Sequence, residues 1–269
     1  MCCFSVASPL GWLGLLGRLV QRPVHVSATN IFARALTDGR QALAYSMNLT
    51  TREPVAMVLP LPVAPARNGD DAIQFVDLAA HPQMFVQLGR LFEMQMLAAR
   101  AKGGFHLPSL PRRRLEVHAV GSFVASYVPT RGDFDRLDPR FRVPDVLFDA
   151  VPRYADYGFA VFQLAPGKVT VHPMALTFPT RAPDRLFFPT VHVHDGSFHS
   201  RARFDHALYF QTPRVRRQPD TVPIGSFEDS AVAWQLPGKD YAGLVEPAAP
   251  VLRRTLRGRL ANDDTWIAA

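Results

Sequence analysis

Histidine is concentrated in one late stretch of the chain, where its spacing suits a metal site or a polar binding site. Five of the nine histidines lie between residues 172 and 206. Three of them, His192, His194 and His199, surround Asp195-Gly196, and an Asp-Gly pair between alternating residues predicts a two-residue hairpin turn. In that register His192 faces His199, and residues two apart share one face of a strand. The sequence therefore predicts three imidazoles on one side of a β-hairpin.

Three imidazoles about 5 Å apart across a hairpin could bind one metal ion and leave a coordination position open for water or substrate. We therefore predict His192, His194 and His199 as metal ligands, with zinc or iron as the cofactor. The His-x-His opening is similar to that of a cupin metal motif, although the glutamate expected shortly afterwards is missing. Two alternatives stay open: a solvated polar face of the hairpin, and a cluster of neutral histidines around a site without metal.

Cys2 is the second chemical candidate. Removal of Met1 is expected before so small a residue and would leave Cys2 with a free α-amino group. A terminal thiol with its own amine as base is the minimal apparatus of N-terminal-nucleophile amide hydrolases, so we predict Cys2 as catalytic. The thiolate would attack an acyl carbon, the amine would carry the proton, and backbone amides would hold the oxyanion. Arg34 and Asn48 could supply the arginine and the amide that such enzymes place nearby.

Two other interpretations of the N-terminus remain open. Cys2 and Cys3 precede an apolar stretch, residues 10–19, that could lie on a membrane surface next to acylated cysteines. The chain would then be a non-catalytic interaction module with a peripheral membrane contact. In the other interpretation, Cys2 is an unmodified terminal residue without a chemical role.

Composition and charge restrict the other function classes. Cys2 and Cys3 are the only cysteines and are adjacent, so they form no disulfide framework, which favours a reducing, cytoplasmic location. No window of 18 apolar residues predicts a transmembrane helix. The net charge of +7 comes from arginine-rich runs scattered along the chain, without aromatic interleaving or a known reader motif, which argues against a nucleic-acid-binding protein.

Residue periodicity predicts one α+β domain, mainly antiparallel sheet with two or three helices packed on it. Alternating and continuous apolar stretches predict strands within 24–63, 115–128 and 158–210. Apolar spacing of three and four predicts helices over 82–101 and 143–155, and a short basic helix over 249–261. We see no linker, so residues 1–269 form a single domain, with 211–269 a Pro- and Arg-rich extension wrapping its surface.

The strand Ala56-Met57-Val58-Leu59-Pro60-Leu61-Pro62-Val63, together with the cysteine start and Phe4, resembles a bacterial family of unknown function. Its members begin Cys-Gly-Gly-Phe-Phe and carry a Trp-Val-Leu-Pro-Val-Pro strand. The resemblance covers roughly residues 1–65; Met57 stands where that family has Trp, and Cys3 replaces Gly. The resemblance implies a bacterial origin and a shared fold, and it assigns no activity.

Together these features predict a hydrolase-like protein whose chemical centre combines Cys2 with the histidine hairpin and acts on a small molecule or peptide. The alternatives are a metal-binding protein centred on the hairpin, and a non-catalytic interaction module. The three interpretations differ in whether a thiol, a metal ion or a surface carries the function.

Overall fold

The computed structural model describes residues 2–6, 24–102, 124–137, 145–193, 197–212, 230–233 and 238–269. Within these ranges the helices are α1 (Met84–Lys102) and α2 (Asp145–Ala150), with single 3₁₀ turns between strands. The strands are β1 (Cys2–Val6), β2 (His25–Ala35), β3 (Arg40–Thr51), β4 (Val55–Leu61), β5 (Gln74–Val76), β6 (Val124–Val128), β7 (Gly158–Leu164), β8 (Gly167–Thr170), β9 (Met174–Pro179), β10 (Arg185–Phe188), β11 (His192–Val193), β12 (Arg201–Gln211), β13 (Ser230–Ala233), β14 (Val251–Ala261) and β15 (Thr265–Ala268).

The predicted α+β class is wrong, because strands hold 50% of the residues and helices only 14%. A fold with helices packed across its sheets would need several long helices. In the ranges that the structure describes, α1 is the one long helix, and it covers one end of one sheet face. The protein is therefore mainly β.

Two large sheets form the body of the molecule. The first has the strand order β11-β1-β4-β7-β6, and the second β13-β14-β12-β2-β3-β9-β5, with β8 also paired to β3. Most neighbours are antiparallel, but β1 pairs with β11, and β2 with β12, in parallel. A separate ribbon of β10 and β15 supplies Phe187 and Trp266 to the edge of the core.

The central part of the second sheet is buried on both faces, and its residues alternate between two clusters. Ile31 and Leu43 pack toward the first sheet, whereas Phe32 and Ala44 pack toward α1. This alternation follows from the two-residue period of a strand. α1 contributes Phe92 to the second cluster, where the Arg253 guanidinium lies 4.4 Å from the centre of its ring.

Asp38-Gly39, a residue pair typical of two-residue hairpin turns, lies between β2 and β3. β2 and β3 pair antiparallel on either side of it, and the Leu36 amide donates to the Arg40 carbonyl at 2.8 Å. Gly39 has φ +74°, a left-handed conformation that glycine adopts without steric cost. The predicted helix over 82–101 is confirmed as α1, nearly to the residue.

The prediction of a short basic helix over 249–261 is wrong, because most of this segment forms β14. This strand pairs with β12 along ten residues, from Leu252 opposite Phe210 to Ala261 opposite Arg201. Residues 251–261 therefore belong to the second sheet. Among the described helices, none is long and apolar enough to cross a membrane.

Candidate functional site

The histidine region has a different arrangement from the predicted hairpin in the residues that the structure describes. His192 lies in the short strand β11, which pairs with β1. His199 follows in a segment without regular structure, just before β12 begins. The turn Asp195-Gly196 and the third predicted ligand, His194, lie outside the described residues.

His192 contacts His206, a buried residue of β12, through the Nε2 atoms of both rings, which are 3.0 Å apart. The Asp205 amide donates to Nδ1 of His206 at 3.3 Å, so that nitrogen carries no proton. A neutral His206 is then protonated on Nε2 and donates to His192, whose own proton must sit on Nδ1. The ring of Phe204 packs 4.6 Å from that of His192 and covers the pair on one side.

Asn262, directly after β14, binds the backbone of His192 and of His199, on both sides of residues 194–196. Its Oδ1 accepts from the His192 amide at 2.7 Å, and its Nδ2 donates to the carbonyls of His192 and His199 at 2.9 and 2.8 Å. Because Asn262 is buried, these bonds are sheltered from water. This residue fixes where the two histidines lie relative to each other.

A cavity of about 430 Å³ opens beside these histidines, where the second sheet is split. Ala28 has φ +50° and lies in a register shift of β2 between Ser27 and Asn30. Among the described strands, the part of β2 before this bulge pairs with β3 alone, and the start of β12 pairs with β14 alone. The Asp205 carboxylate spans the gap by accepting from the Ala28 amide at 3.2 Å.

The cavity brings together four histidines, from β2, β11, β12 and the segment just before β12. Its lining includes His25 from β2, His192 from β11, His199, and His206 from β12, together with Arg201, Arg203 and Asp205. Within the described ranges, no three His, Cys, Asp or Glu side chains are placed to hold one metal ion. Metal binding by His192, His194 and His199 stays a prediction, because His194 is not among these residues.

The structure places the two predicted chemical candidates next to each other in the first sheet. Cys2 is in register with His192, and Cys3 with Val193, across the parallel pair β1 and β11. This pairing joins the start of the chain to the rim of the cavity through the backbone. The apolar stretch 10–19, predicted to lie on a membrane, falls outside the described residues.

The two predicted companions of Cys2 have other partners. The Arg34 guanidinium donates to the carbonyls of Leu244 and Gly243 at 2.7 and 2.6 Å, and burial lowers its pKa while Glu246 opposes that shift. Asn48 accepts from the Thr170 hydroxyl at 2.8 Å. Both side chains therefore stabilise connections of the second sheet.

An exposed surface of four arginines lies beside the cavity on β12 and β14; we call it the arginine face. Arg203 is directly opposite Arg259, and Arg257 is opposite Asp205. Residues paired in this way share one side of the sheet, and Arg201 joins them two positions before Arg203. All four arginines are exposed, and none is in an ion pair with another residue in the ranges that the structure describes.

Sequence reasoning missed the cavity, the role of Asn262 and the His192–His206 contact. Each depends on pairing between segments far apart in the chain. The one local signal was Asn262-Asp263-Asp264, a run of turn-forming residues after a basic stretch, where a buried asparagine could have been expected to hold backbone groups.

No protein-family model matches the sequence, and neither does any curated protein. Among solved structures, baculovirus P35 is similar, with a TM-score of 0.52 at 11% identity over 93% of this chain and 98% of that one. A mutated baculovirus P35 after caspase cleavage gives 0.46 at 12% identity over 90% and 99%. P35 in its complex with caspase-8 gives 0.44 at 11% over 90% and 96%. The chain thus shares the fold of baculovirus P35.

Proposed function

We propose that this chain is a non-catalytic protein-interaction module, that it binds its partner through the arginine face, and that the partner is a protease. The observation that carries the proposal is the direct opposition of Arg203 and Arg259 on an exposed part of the second sheet.

The arginine face carries a local electrostatic cost. Like charges directly opposite each other across two strands destabilise the pair. Asp205 lies between the arginines, but its carboxylate already accepts from the Ala28 amide. Four guanidinium groups around one carboxylate leave this face strongly positive.

Carboxylates from another protein would relieve this repulsion. Guanidinium groups bind carboxylates with two parallel hydrogen bonds, so a row of arginines favours an acidic protein surface. The net charge of +7 would also speed the encounter with such a surface. We therefore expect an acidic partner, association that weakens in salt, and a contact centred on β12 and β14.

The partner class is taken from the shared fold. The likeness to baculovirus P35 extends over nearly the whole of both chains, so it is not a match to one common substructure. P35 forms a complex with caspase-8. Fold analogy of this kind supports a proposal about the partner class without fixing the protease.

Binding to caspase-8 and to a panel of other cysteine and serine proteases tests the proposal. We expect a complex in calorimetric titration, and at least about tenfold weaker binding for the double variant R257E/R259E, because it replaces attraction with repulsion at two positions. The matched control R52E/R185E changes the net charge by the same amount at exposed sites elsewhere, and we expect it to bind like the wild type.

Two results would contradict this function. If no protease of the panel binds, the partner class is wrong. If R257E/R259E and R52E/R185E weaken binding equally, only net charge matters and the arginine face is not the contact.

The register of Cys2 with His192 favours a second candidate, the N-terminal-nucleophile hydrolase. A thiolate at the start of β1 would attack an acyl carbon beside the cavity, and the α-amine would take the thiol proton. C2A should then lose labelling by a thiol-reactive acyl probe, whereas C3A should keep it. The intact mass of the native protein also shows whether Met1 is removed and whether either cysteine is acylated. Retained Met1, or equal labelling of C2A and wild type, would exclude this candidate.

A further inference from the structure

We propose that the cavity between β2 and β12 is a binding site for a small phosphate monoester whose carbon skeleton carries hydroxyl groups. This inference does not rest on the proposed protein partner, although Arg201 and Arg203 belong both to the arginine face and to the cavity lining. It rests on the charge of the lining, on which of its polar groups are already hydrogen-bonded, and on the size of the space.

The cavity lining has an excess of positively charged and hydrogen-bond-donating side chains. Arg201 and Arg203 contribute two permanent positive charges, and His25 and His199 add imidazole groups at the exposed rim. Asp205 is the one carboxylate among the described lining residues. An anion is the ligand that such a lining favours.

Several polar groups of the lining already form hydrogen bonds within the protein, and these bonds keep that side of the cavity rigid. Asn262 uses both ends of its amide on the backbone of His192 and His199. Nε2 of His192 and Nε2 of His206 bond to each other. These contacts hold the cavity in shape before any ligand arrives, which reduces the ordering cost of binding.

The two arginines keep donors for a ligand. Arg201 donates through Nη2 to the Arg259 carbonyl at 2.8 Å, which places its guanidinium at the rim with four further N–H groups. Arg203 makes no hydrogen bond within the ranges that the structure describes, although it lines the cavity. The Arg203 guanidinium is therefore the main group that we expect to hold the anion.

A phosphate monoester fits this arrangement better than a carboxylate. It brings close to two negative charges and three acceptor oxygens, which match two guanidinium forks and the exposed His25 imidazole at the rim. The volume of about 430 Å³ is within the range of small-molecule sites and larger than a bare phosphate needs. Asp205 would repel a second anionic group but can accept from a hydroxyl, so a phosphorylated polyol uses the lining most completely.

Calorimetric titration of the full chain with glycerol 3-phosphate tests the site, with glycerol, inorganic phosphate and a phosphoserine peptide as comparison ligands. We expect glycerol 3-phosphate to bind more tightly than inorganic phosphate, and glycerol not to bind. R203Q should weaken binding by at least about tenfold, since it removes a charged hydrogen-bond donor. R185Q, an exposed arginine on β10, is the matched control and should leave binding unchanged.

Three outcomes would overturn the proposal: no binding of glycerol 3-phosphate up to about 10 mM, equal affinity of R203Q and wild type, or binding of the phosphoserine peptide alone. The last would mean that the arginines take a phosphorylated protein segment instead of a small molecule. R257E/R259E changes no residue of the cavity lining, so we expect it to weaken binding of glycerol 3-phosphate less than R203Q does. Failure of this site can therefore be told apart from failure of the protein-binding function.

Discussion

Tyr154 donates its phenolic proton to Oδ2 of Asp264 across 2.5 Å, and this bond ties the loop between β14 and β15 to the 3₁₀ turn Pro152–Tyr154. The other oxygen of Asp264 accepts from the amides of Thr190 and Val191 at 3.1 and 3.3 Å. The carboxylate is only 1% exposed, so all of these bonds form away from water. Asp264 therefore fixes the backbone immediately before the strand that carries His192.

We expect D264N to lower the free energy of unfolding by about 2–3 kcal/mol. The asparagine amide has one oxygen and one NH₂ group, and the NH₂ group must face either the Tyr154 hydroxyl or the amides of Thr190 and Val191. Since those groups are donors too, their hydrogen bonds to that end of the side chain are lost. Urea denaturation at neutral pH measures the change. D184N is the matched control, since Asp184 is 72% exposed and its change should stay within about 0.5 kcal/mol. Equal effects of D264N and D184N would show that the buried bonds contribute nothing.

Gly158, the first residue of β7, has no space beside it for a Cβ atom. A Cβ at this position would lie 2.1 Å from Oη of Tyr127. We expect G158A to cost about 1–3 kcal/mol in thermal or urea unfolding, because the tyrosine ring would have to move.

The clash itself is tested by a double-mutant cycle with Y127A. In the Y127A background, G158A should be nearly neutral, since the atoms that it would contact are gone. If G158A destabilises the wild type and Y127A equally, the cause is the backbone of β7 and not the contact with Tyr127.

The buried tyrosines predict a loss of stability at high pH. Burial raises the pKa of Tyr209, although the nearby Arg253 opposes the shift. Because the folded pKa lies above the unfolded value of about 10, the unfolded state releases its proton first as the pH rises. The contribution of Tyr209 is complete below pH of about 10, and above it stability falls by up to about 1.4 kcal/mol per pH unit.

Y209F should flatten this fall, since phenylalanine cannot ionise. The measurement is the free energy of unfolding by urea at several pH values between about 8 and 11. Parallel curves for Y209F and wild type would mean that Tyr209 ionises equally readily in both states.

The tautomers of the paired histidines are a direct spectroscopic prediction. The Asp205 amide donates to Nδ1 of His206, so His206 should carry its proton on Nε2 and His192 on Nδ1 when both rings are neutral. Long-range ¹H–¹⁵N correlation spectra of the imidazole nitrogens distinguish these forms. Assignment follows from loss of one set of signals in H192Q. The opposite tautomers would show that the contact between Nε2 atoms is not the bond described.

Local sequence signals predicted the elements that local interactions determine. α1 has a stripe of apolar residues with helical spacing, and the Asp38-Gly39 turn has the residue pair that its backbone conformation requires. Pro60 lies inside β4 although proline has no amide proton to donate. It stays opposite Phe159 of β7, and the described pairs of β1 with β4 end at Val58, so no described partner on that side needs the proton.

β14 shows why a helix was predicted where a strand forms. Leu252, Leu256 and Leu260 are four apart, which suits one face of a helix and equally one face of a strand. Leu252 and Leu256 both pack on the core between the two sheets, as the strand period requires. Pairing with β12 decides between helix and strand for this segment. Because β12 lies about 50 residues earlier in the chain, no local pattern shows it.

The candidate site was predictable only in part for the same reason. The concentration of histidines indicated the region, and His192 and His199 do line one cavity. His206 and Asn262 acquire their roles from the pairing of β12 with β2 and β14, which no local pattern specifies.

The parallel pairing of β1 with β11 has a consequence for how the protein is made. About 190 residues separate Cys2 from its partner His192. At ordinary rates of translation the ribosome needs about 10–40 s to add them. β4 can pair with β1 early in synthesis. The opposite edge of β1 has no β11 to pair with until those residues have been added. A nascent chain held at this stage presents an open strand edge, which is where chaperones or aggregation would act first.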